Sequence, residues 1–97
     1  MSNLSFEWDP KKAVANARKH GVSFEEARTV FEDDEALFMP DPAHSADEER
    51  AVLLGWSAAH RVLVVVHCER ADGDVIRLIS ARKADPQERQ LYAARRG

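Results

Sequence analysis

The sequence predicts an α+β fold of two layers, with a curved antiparallel sheet of three to five strands and helices on one face. Three capped helix starts, at positions 9, 23 and 85, flank a central region of apolar strand-like runs. The chain of 97 residues is long enough for one modest core, so we treat residues 1–97 as a single domain.

The first half of the chain contains one strand and two helices. Residues 6–8 alternate in polarity and are expected to form an edge strand. Asp9 caps and Pro10 begins a first helix, which we expect to end at Gly21. Ser23, followed three positions later by a glutamate, begins a second helix with one apolar face.

The second half is expected to contain strands and a last helix. Four strands are predicted, at residues 36–39, 50–56, 61–69 and 75–81, with a polar loop before the second of them. The run 62–66 is apolar on both faces, which is typical of a central strand. Asp72-Gly73 predicts a hairpin, and Asp85-Pro86 begins the third helix.

Charge is distributed unevenly along the chain. Ten acidic residues and one basic residue lie between positions 25 and 49, whereas positions 61–97 hold eight basic and five acidic residues. The net charge of −3 therefore averages a cationic region with an acidic one. Such polarity indicates either a binding face for an anion or a solvated surface with clustered signs.

Arg77 is the most informative residue, because it lies in the middle of a predicted buried strand where packing has no use for a guanidinium. The hairpin register decides its neighbour. A loop with an odd number of residues places His67 opposite Arg77, and these two residues then form a polar cluster with Glu69 that suits acid–base chemistry. A two-residue turn places Cys68 there, and Glu69 is then an ordinary surface ion-pair residue.

Further cations lie at the ends of the predicted strands. Arg82 and Lys83 follow the last strand, and Arg50 and Arg61 begin two others. Several arginines from different strands can enclose a phosphate, although charged strand ends also protect sheet edges.

Other kinds of site are disfavoured. His44, His60, His67 and Cys68 lack zinc-ligand spacing, and no nucleophile elbow or phosphate-binding glycine loop is present, so no metal or cofactor is expected. One cysteine, no secretion signal and no long apolar run lead us to expect a cytoplasmic protein without a membrane span.

Several blocks of the chain together resemble the BrnT family of ribonuclease toxins from type II toxin–antitoxin systems. The blocks are Phe6-Glu7-Trp8-Asp9, Lys19 to Ala27, His44-Ser45, Glu48-Glu49-Arg50, Gly55, Ile76 to Ala84, Glu88-Arg89 and Tyr92. The resemblance covers nearly the full length.

The resemblance implies a RelE-like fold and cleavage of RNA without metal, by attack of the ribose 2′-hydroxyl on its own phosphodiester. It implies that Arg77 and Arg82, assisted by Arg50, are the catalytic cations, and that His67 or Glu69 is the base or acid. Lys83 and Arg61 are the expected RNA-binding residues.

The resemblance also implies a partner, a BrnA-like antitoxin of the ribbon-helix-helix type that binds operator DNA. The protein would then form a hetero-oligomer with the antitoxin and contact DNA only through it. An alternative is a non-catalytic antitoxin-binding corepressor or interaction domain, which the net negative charge favours.

Overall fold

A computed structural model of the chain describes residues 4–41, 50–70 and 73–96. The predicted loop at residues 42–49 and Asp72 of the predicted hairpin lie outside the described residues. The elements are β1 (Ser5–Glu7), α1 (Pro10–His20), α2 (Phe24–Thr29), a 3-10 turn (Val30–Glu32), β2 (Leu37–Pro40), β3 (Arg50–Trp56), β4 (Val62–Arg70), β5 (Val75–Lys83) and α3 (Pro86–Arg96).

The helices begin where the sequence places caps. The Asp9 carboxylate accepts the amide of Lys11 at the start of α1, and Gly21 ends that helix with a φ of 68°. At the start of α2, Ser23 accepts the amide of Glu26. These side chains satisfy amides that a helix leaves without internal partners, which explains why the helix starts are local properties of the sequence.

The five strands form one sheet in the order β1-β5-β4-β3-β2. The α+β prediction is confirmed, and β1 lies at an edge as expected. The expectation of a purely antiparallel sheet is wrong for one pairing, because β1 runs parallel to β5. Two parallel strands need a long connection between them rather than a tight turn. Here two helices and three strands separate β1 from β5 along the chain.

The helices cover both faces of the sheet. Leu53 and Val65 lie in a core with Phe24 and Ala27 of α2. Tyr92 of α3 instead packs in a second cluster with Leu54, Val64 and Ala84. Because neighbouring strand residues point to opposite faces, α3 lies across the sheet from α1 and α2. The expected placement of all helices on one face is therefore wrong for α3.

Asn16 attaches α1 to β5. Strand β1 pairs with β5 only as far as Arg77, so Ala81 lies beyond the end of that pairing. The Asn16 side chain accepts the amide of Ala81 at 3.1 Å and donates to its carbonyl at 2.8 Å. The Asn16 Nδ2 also donates to the carbonyl of Val22 at 2.9 Å. One buried side chain thus supplies the hydrogen bonds that a longer β1 would have made.

Gly55 lets the 3-10 turn approach β3 closely. A Cβ at this position would lie 2.8 Å from Val30 Cγ1 and 2.9 Å from the Cβ of Ala36. Those distances are too short for two carbon atoms, so a larger residue would push the turn away from the sheet.

Candidate functional site

The pairing of β4 with β5 contains a bulge that decides where the arginines point. Arg77 pairs with Cys68 and Leu78 with His67, but the next pair along is Ser80 with Val66. Ile79 therefore has no counterpart on β4, which runs through this region without an extra residue. Beyond the bulge, Arg82 pairs with Val64.

The bulge places Arg77 and Arg82 on the same face of the sheet. Residues five apart on a regular strand point to opposite faces. Their partners Cys68 and Val64 are four apart on β4 and therefore share a face, and paired residues follow their partners. Arg50 also pairs with Cys68, from the other neighbouring strand. We call this side, which carries Arg50, Arg77 and Arg82 and also α3, the arginine face.

Arg77 is bound by a carboxylate but remains accessible. Its Nη1 lies 3.3 Å from Oε2 of Glu7. The same oxygen lies 3.6 Å from Nε of Arg70. The Arg77 side chain is 35% exposed and that of Glu7 is 40% exposed. Ion pairs of this exposure contribute little stability, so a phosphate can replace the carboxylate at small cost.

Arg82 is held more firmly, by the first turn of α3. Both Nη atoms donate to the carboxylate of Glu88, at 2.8 and 2.9 Å. Glu88 also accepts the amide of Asp85, whose side chain accepts the amide of Glu88 in return. The Arg82 guanidinium lowers the pKa of Glu88, and Glu88 raises the pKa of Arg82. The helix cap therefore fixes the direction of one proposed cation.

A groove of about 470 Å³ lies on the arginine face next to Arg82. Its lining combines apolar side chains with charged ones: Met39, Pro40, Asp41, Val52, Val64, Val66, Arg82 and Glu88. The apolar part comes from strands β2, β3 and β4, and the charged part comes from Asp41, Arg82 and Glu88. The groove is open enough to admit a ligand from solvent and has a size typical of small-molecule sites.

Arg50 also borders a smaller cleft of about 210 Å³, at the end of the sheet where β3 begins. The other lining residues are Phe38, Pro40, Ala51 and Glu69. Glu69 is exposed and pairs with Ile76, a core residue, so its strand position belongs to the face opposite Arg77. The structure thus brings Glu69 near Arg50 and not into a cluster with Arg77.

His67 is a core residue on the face of the sheet that α1 and α2 cover. It is 1% exposed and packs edge-on against Phe31, with ring centroids 4.9 Å apart. Burial lowers its pKa and favours the neutral ring. Of the two registers left open by the sequence, the structure has Cys68 opposite Arg77, so the polar cluster of His67, Glu69 and Arg77 does not form.

Arg61 and Lys83 lie apart from the arginine face. Arg61 forms an ion pair with Glu26 and donates to the carbonyl of Gly21 at 3.1 Å, which ties β4 to the helix layer. This pairing lowers the pKa of Glu26. Lys83 is exposed and pairs with Leu63 of the main core, so its strand position belongs to the face that α1 and α2 cover.

Two carboxylates of the arginine face, Glu7 and Glu88, were not predicted as site residues. Glu7 lies in the predicted edge strand and Glu88 near the start of the predicted third helix, and both belong to blocks that resemble the family, but neither was assigned a role in the site. Glu7 pairs with Arg77 across parallel strands that are 70 residues apart in the chain, and no local pattern indicates such a contact.

The described residues contain no group of three or more histidine, cysteine, aspartate or glutamate side chains able to hold a metal ion. Within the same part of the chain, no helix has the length and apolar character needed to cross a membrane.

Comparisons with known proteins identify the family. A family model described as the ribonuclease toxin BrnT of type II toxin–antitoxin systems matches residues 8–88. The structure is also similar to the crystal structure of the Brucella abortus ribonuclease toxin BrnT, with a TM-score of 0.65 and 21% identity, covering 84% of this chain and 97% of that one. No curated protein matches the chain. The resemblance found in the sequence is confirmed: the chain belongs to the BrnT family of ribonuclease toxins of type II toxin–antitoxin systems.

Proposed function

We propose that this protein is an endoribonuclease that cleaves RNA without a metal ion and thereby inhibits translation and growth. The observation that supports it best is the arginine face, where Arg50, Arg77 and Arg82 come from two strands and share one side of the sheet. Arg77 lies in the interior of β5, where packing gives a guanidinium no role, and Arg50 and Arg82 lie near strand ends on the same face. An RNA backbone is the anion that a ribonuclease family must bind.

The reaction we propose needs no protein nucleophile. The ribose 2′-oxygen forms a bond to the adjacent phosphorus, and the bond from phosphorus to the 5′-oxygen of the next nucleotide breaks. The products are a 2′,3′-cyclic phosphate and a 5′-hydroxyl end. Negative charge builds on the phosphoryl oxygens in the transition state, and fixed guanidinium groups stabilise that charge.

The proton of the 2′-hydroxyl needs an acceptor, and the leaving oxygen needs a donor. Glu7 and Glu88 are the carboxylates that contact the arginines of this face. His67 is not part of the proposal, because it is buried on the other side of the sheet. Glu69, beside Arg50 in the smaller cleft, is retained only as a contact to the RNA chain.

The test is cleavage of a single-stranded RNA by the purified protein in excess chelator. We expect cleavage, with 2′,3′-cyclic phosphate ends. Arg77→Ala and Arg82→Ala should each lower the rate about 10²–10³-fold, as expected for loss of a group that stabilises transition-state charge. Arg50→Ala should have a smaller effect.

Arg18→Ala is the matched control, because Arg18 is an exposed cation on α1, across the sheet from the arginine face. It should cleave at the wild-type rate, and circular dichroism should show that all four variants are folded. The proposed site is wrong if Arg77→Ala and Arg82→Ala cut RNA as well as the wild type does.

We further propose that a BrnA-like antitoxin of the ribbon-helix-helix type neutralises the protein by covering the arginine face, and that operator DNA is bound only through it. A type II toxin family implies an antitoxin partner. Because the RNA target is intracellular, we place the activity in the cytoplasm.

A second candidate is a non-catalytic module that binds the antitoxin and acts as a corepressor. It is favoured by the ion pairs of Arg61, Arg77 and Arg82, each of which is already bound to a carboxylate. Expression without the antitoxin separates the two candidates. Growth arrest that disappears in Arg77→Ala supports the ribonuclease, whereas unimpaired growth supports the corepressor.

A further inference from the structure

The groove next to Arg82 has a mixed chemistry that phosphate binding alone does not explain. Val52, Val64 and Val66 form a row across β3 and β4, and Met39 extends the row onto β2. Val52, Val66 and Met39 are only half-buried, although the domain is small and has few apolar side chains to spare. An apolar strip left open in this way is suited to a flat apolar ligand.

The position of the strip indicates the occupant. Arg82 lies at the Val64 end of β4, and Arg50 and Arg77 lie at the Cys68 end. Four residues of strand separate the two ends, roughly 13 Å at about 3.3 Å per residue. An RNA strand whose phosphates contact both groups of arginines must pass over the valines between them.

We propose that this groove is a nucleobase site, in which one base of the RNA leaves the strand and lies on the valine row. The inference rests on the proposed ribonuclease function and adds a base-binding site to it. Single-stranded RNA is generally recognised through unstacked bases that pack on a protein surface and hydrogen-bond along their edges.

Two carboxylates make the site selective. Asp41 and Glu88 line the groove, and an ionised carboxylate can only accept hydrogen bonds. Glu88 has about four acceptor positions, of which Arg82 and the Asp85 amide use three, so one remains for a ligand. The exocyclic amino group that donates is at C4 in cytosine, at C6 in adenine and at C2 in guanine, whereas uracil has a carbonyl at C4 and no exocyclic donor. The site therefore prefers an amino-bearing base over uracil.

Cytidine 5′-monophosphate and uridine 5′-monophosphate test this preference, because they have nearly the same size and differ at that group. Each is titrated into the full chain while the valine methyl signals are followed by NMR. We expect the cytidine compound to shift the methyls of Val52 and Val66 at about a tenfold lower concentration than the uridine compound. Ribose 5-phosphate, which has no base, should leave both methyls in place.

Two results would overturn the base site. One is that no nucleotide moves the valine methyls, or that ribose 5-phosphate moves them equally. The other is that the methyls shift with protein concentration alone, which would make the groove a contact between two copies of the chain. Equal affinity for the cytidine and uridine compounds overturns the selectivity and leaves an unselective base site.

Glu88→Gln tests the carboxylate separately from the fold. Glutamine keeps the shape and can still serve in the helix cap, but its amide also donates. The preference for cytidine over uridine should fall from about tenfold to about onefold in Glu88→Gln, and Asp41→Asn should lower it in the same direction. Glu25→Gln is the control, because Glu25 is an exposed glutamate in the first turn of α2. An unchanged preference in both groove variants would contradict the proposed selection.

The binding result and the cleavage result fail independently. A protein that cleaves RNA but shows no nucleotide binding in the groove keeps its proposed function and overturns the base site. A protein that binds the cytidine compound on the valine row but does not cleave RNA retains the base site and overturns the ribonuclease.

Discussion

His67 shows how one buried titratable side chain makes the fold sensitive to acid. The ring packs against Phe31 and Phe38 and is 1% exposed. Burial is the main cause of its lowered pKa, and the nearby charge of Glu69 only partly opposes it. Protonation of this ring therefore favours the unfolded chain, where the imidazole has its ordinary pKa of about 6.5.

We expect the free energy of unfolding to be highest above about pH 6.5 and to fall as the pH is lowered through the depressed pKa of His67. His67→Phe should flatten this dependence between pH 7.5 and 5, a range above the ordinary titration of carboxylates. Urea denaturation at several pH values measures it. His60→Gln is the control, since His60 is exposed, and a His67→Phe variant with the wild-type slope would refute the assignment.

Asn16 is the polar residue on which the attachment of α1 depends. Asn16→Leu should lower the free energy of unfolding by about 2–4 kcal/mol, because it leaves both the amide and the carbonyl of Ala81 without this partner. Urea denaturation checks the value against Lys12→Ala, an exposed change on the same helix. A loss below about 1 kcal/mol would mean that water replaces the side chain.

At the scale of elements, the sequence predicted what short-range chemistry determines. The helix starts at Asp9, Ser23 and Asp85 depend on residues within three positions of each cap, and all three are found. The predicted strands agree with the observed ones within a residue or two. The parallel pairing of β1 and the face chosen by α3 depend on contacts between distant segments, so no local pattern could indicate them.

Two ion pairs show that a position at the end of a strand does not by itself identify a functional residue. Arg61 and Arg82 both lie at strand ends, and each is bound by a glutamate of a helix. Arg61 points into the helix layer and joins β4 to α2, whereas Arg82 points across the sheet into an open groove. The sequence presents them as equivalent, because the difference depends on the face of the sheet and not on the residue type.

For the whole molecule, the net charge of −3 does not describe every surface. On the side of α1 and α2, Glu25, Glu26 and Glu32 are offset by α1, which has four lysine and arginine residues and no acidic one. The arginines of the opposite side come from β3 and β5. A chain that is acidic on average can therefore still have local cationic surfaces, and phosphate binding depends on such local charge.

The sequence predicted which residues belong to the arginine face better than it predicted how they are arranged. Arg77 stood out because it interrupts an apolar strand, and Arg50 and Arg82 through the family resemblance. Their common face could not be predicted, because regular alternation separates Arg77 from Arg82. The register of the hairpin and the bulge at Ile79 are properties of strand pairing that one sequence does not show.

Deletion of Ile79 tests the bulge. Without this residue Arg77 and Arg82 are four positions apart, so a regularly alternating strand keeps both arginines on the arginine face and Ala81 in the core. We expect the deletion variant to fold and to cleave RNA at close to the wild-type rate. Ile79→Ala, which keeps the residue count and the bulge, should also retain most activity if circular dichroism shows it folded. A folded deletion variant that cleaves RNA as poorly as Arg82→Ala does would contradict this account.

The bulge also bears on how related sequences are compared. Ile79 shifts the alternation of side chains between the two faces by one residue. The number of residues between Arg77 and Arg82 must therefore be considered together with the bulge when sequences are aligned. A relative that keeps both arginines but lacks one residue between them would have them on the same face without a bulge, because residues four apart on a regular strand share a face. In this strand, a one-residue gap opposite Ile79 in an alignment therefore removes the bulge and leaves the arginine face in place.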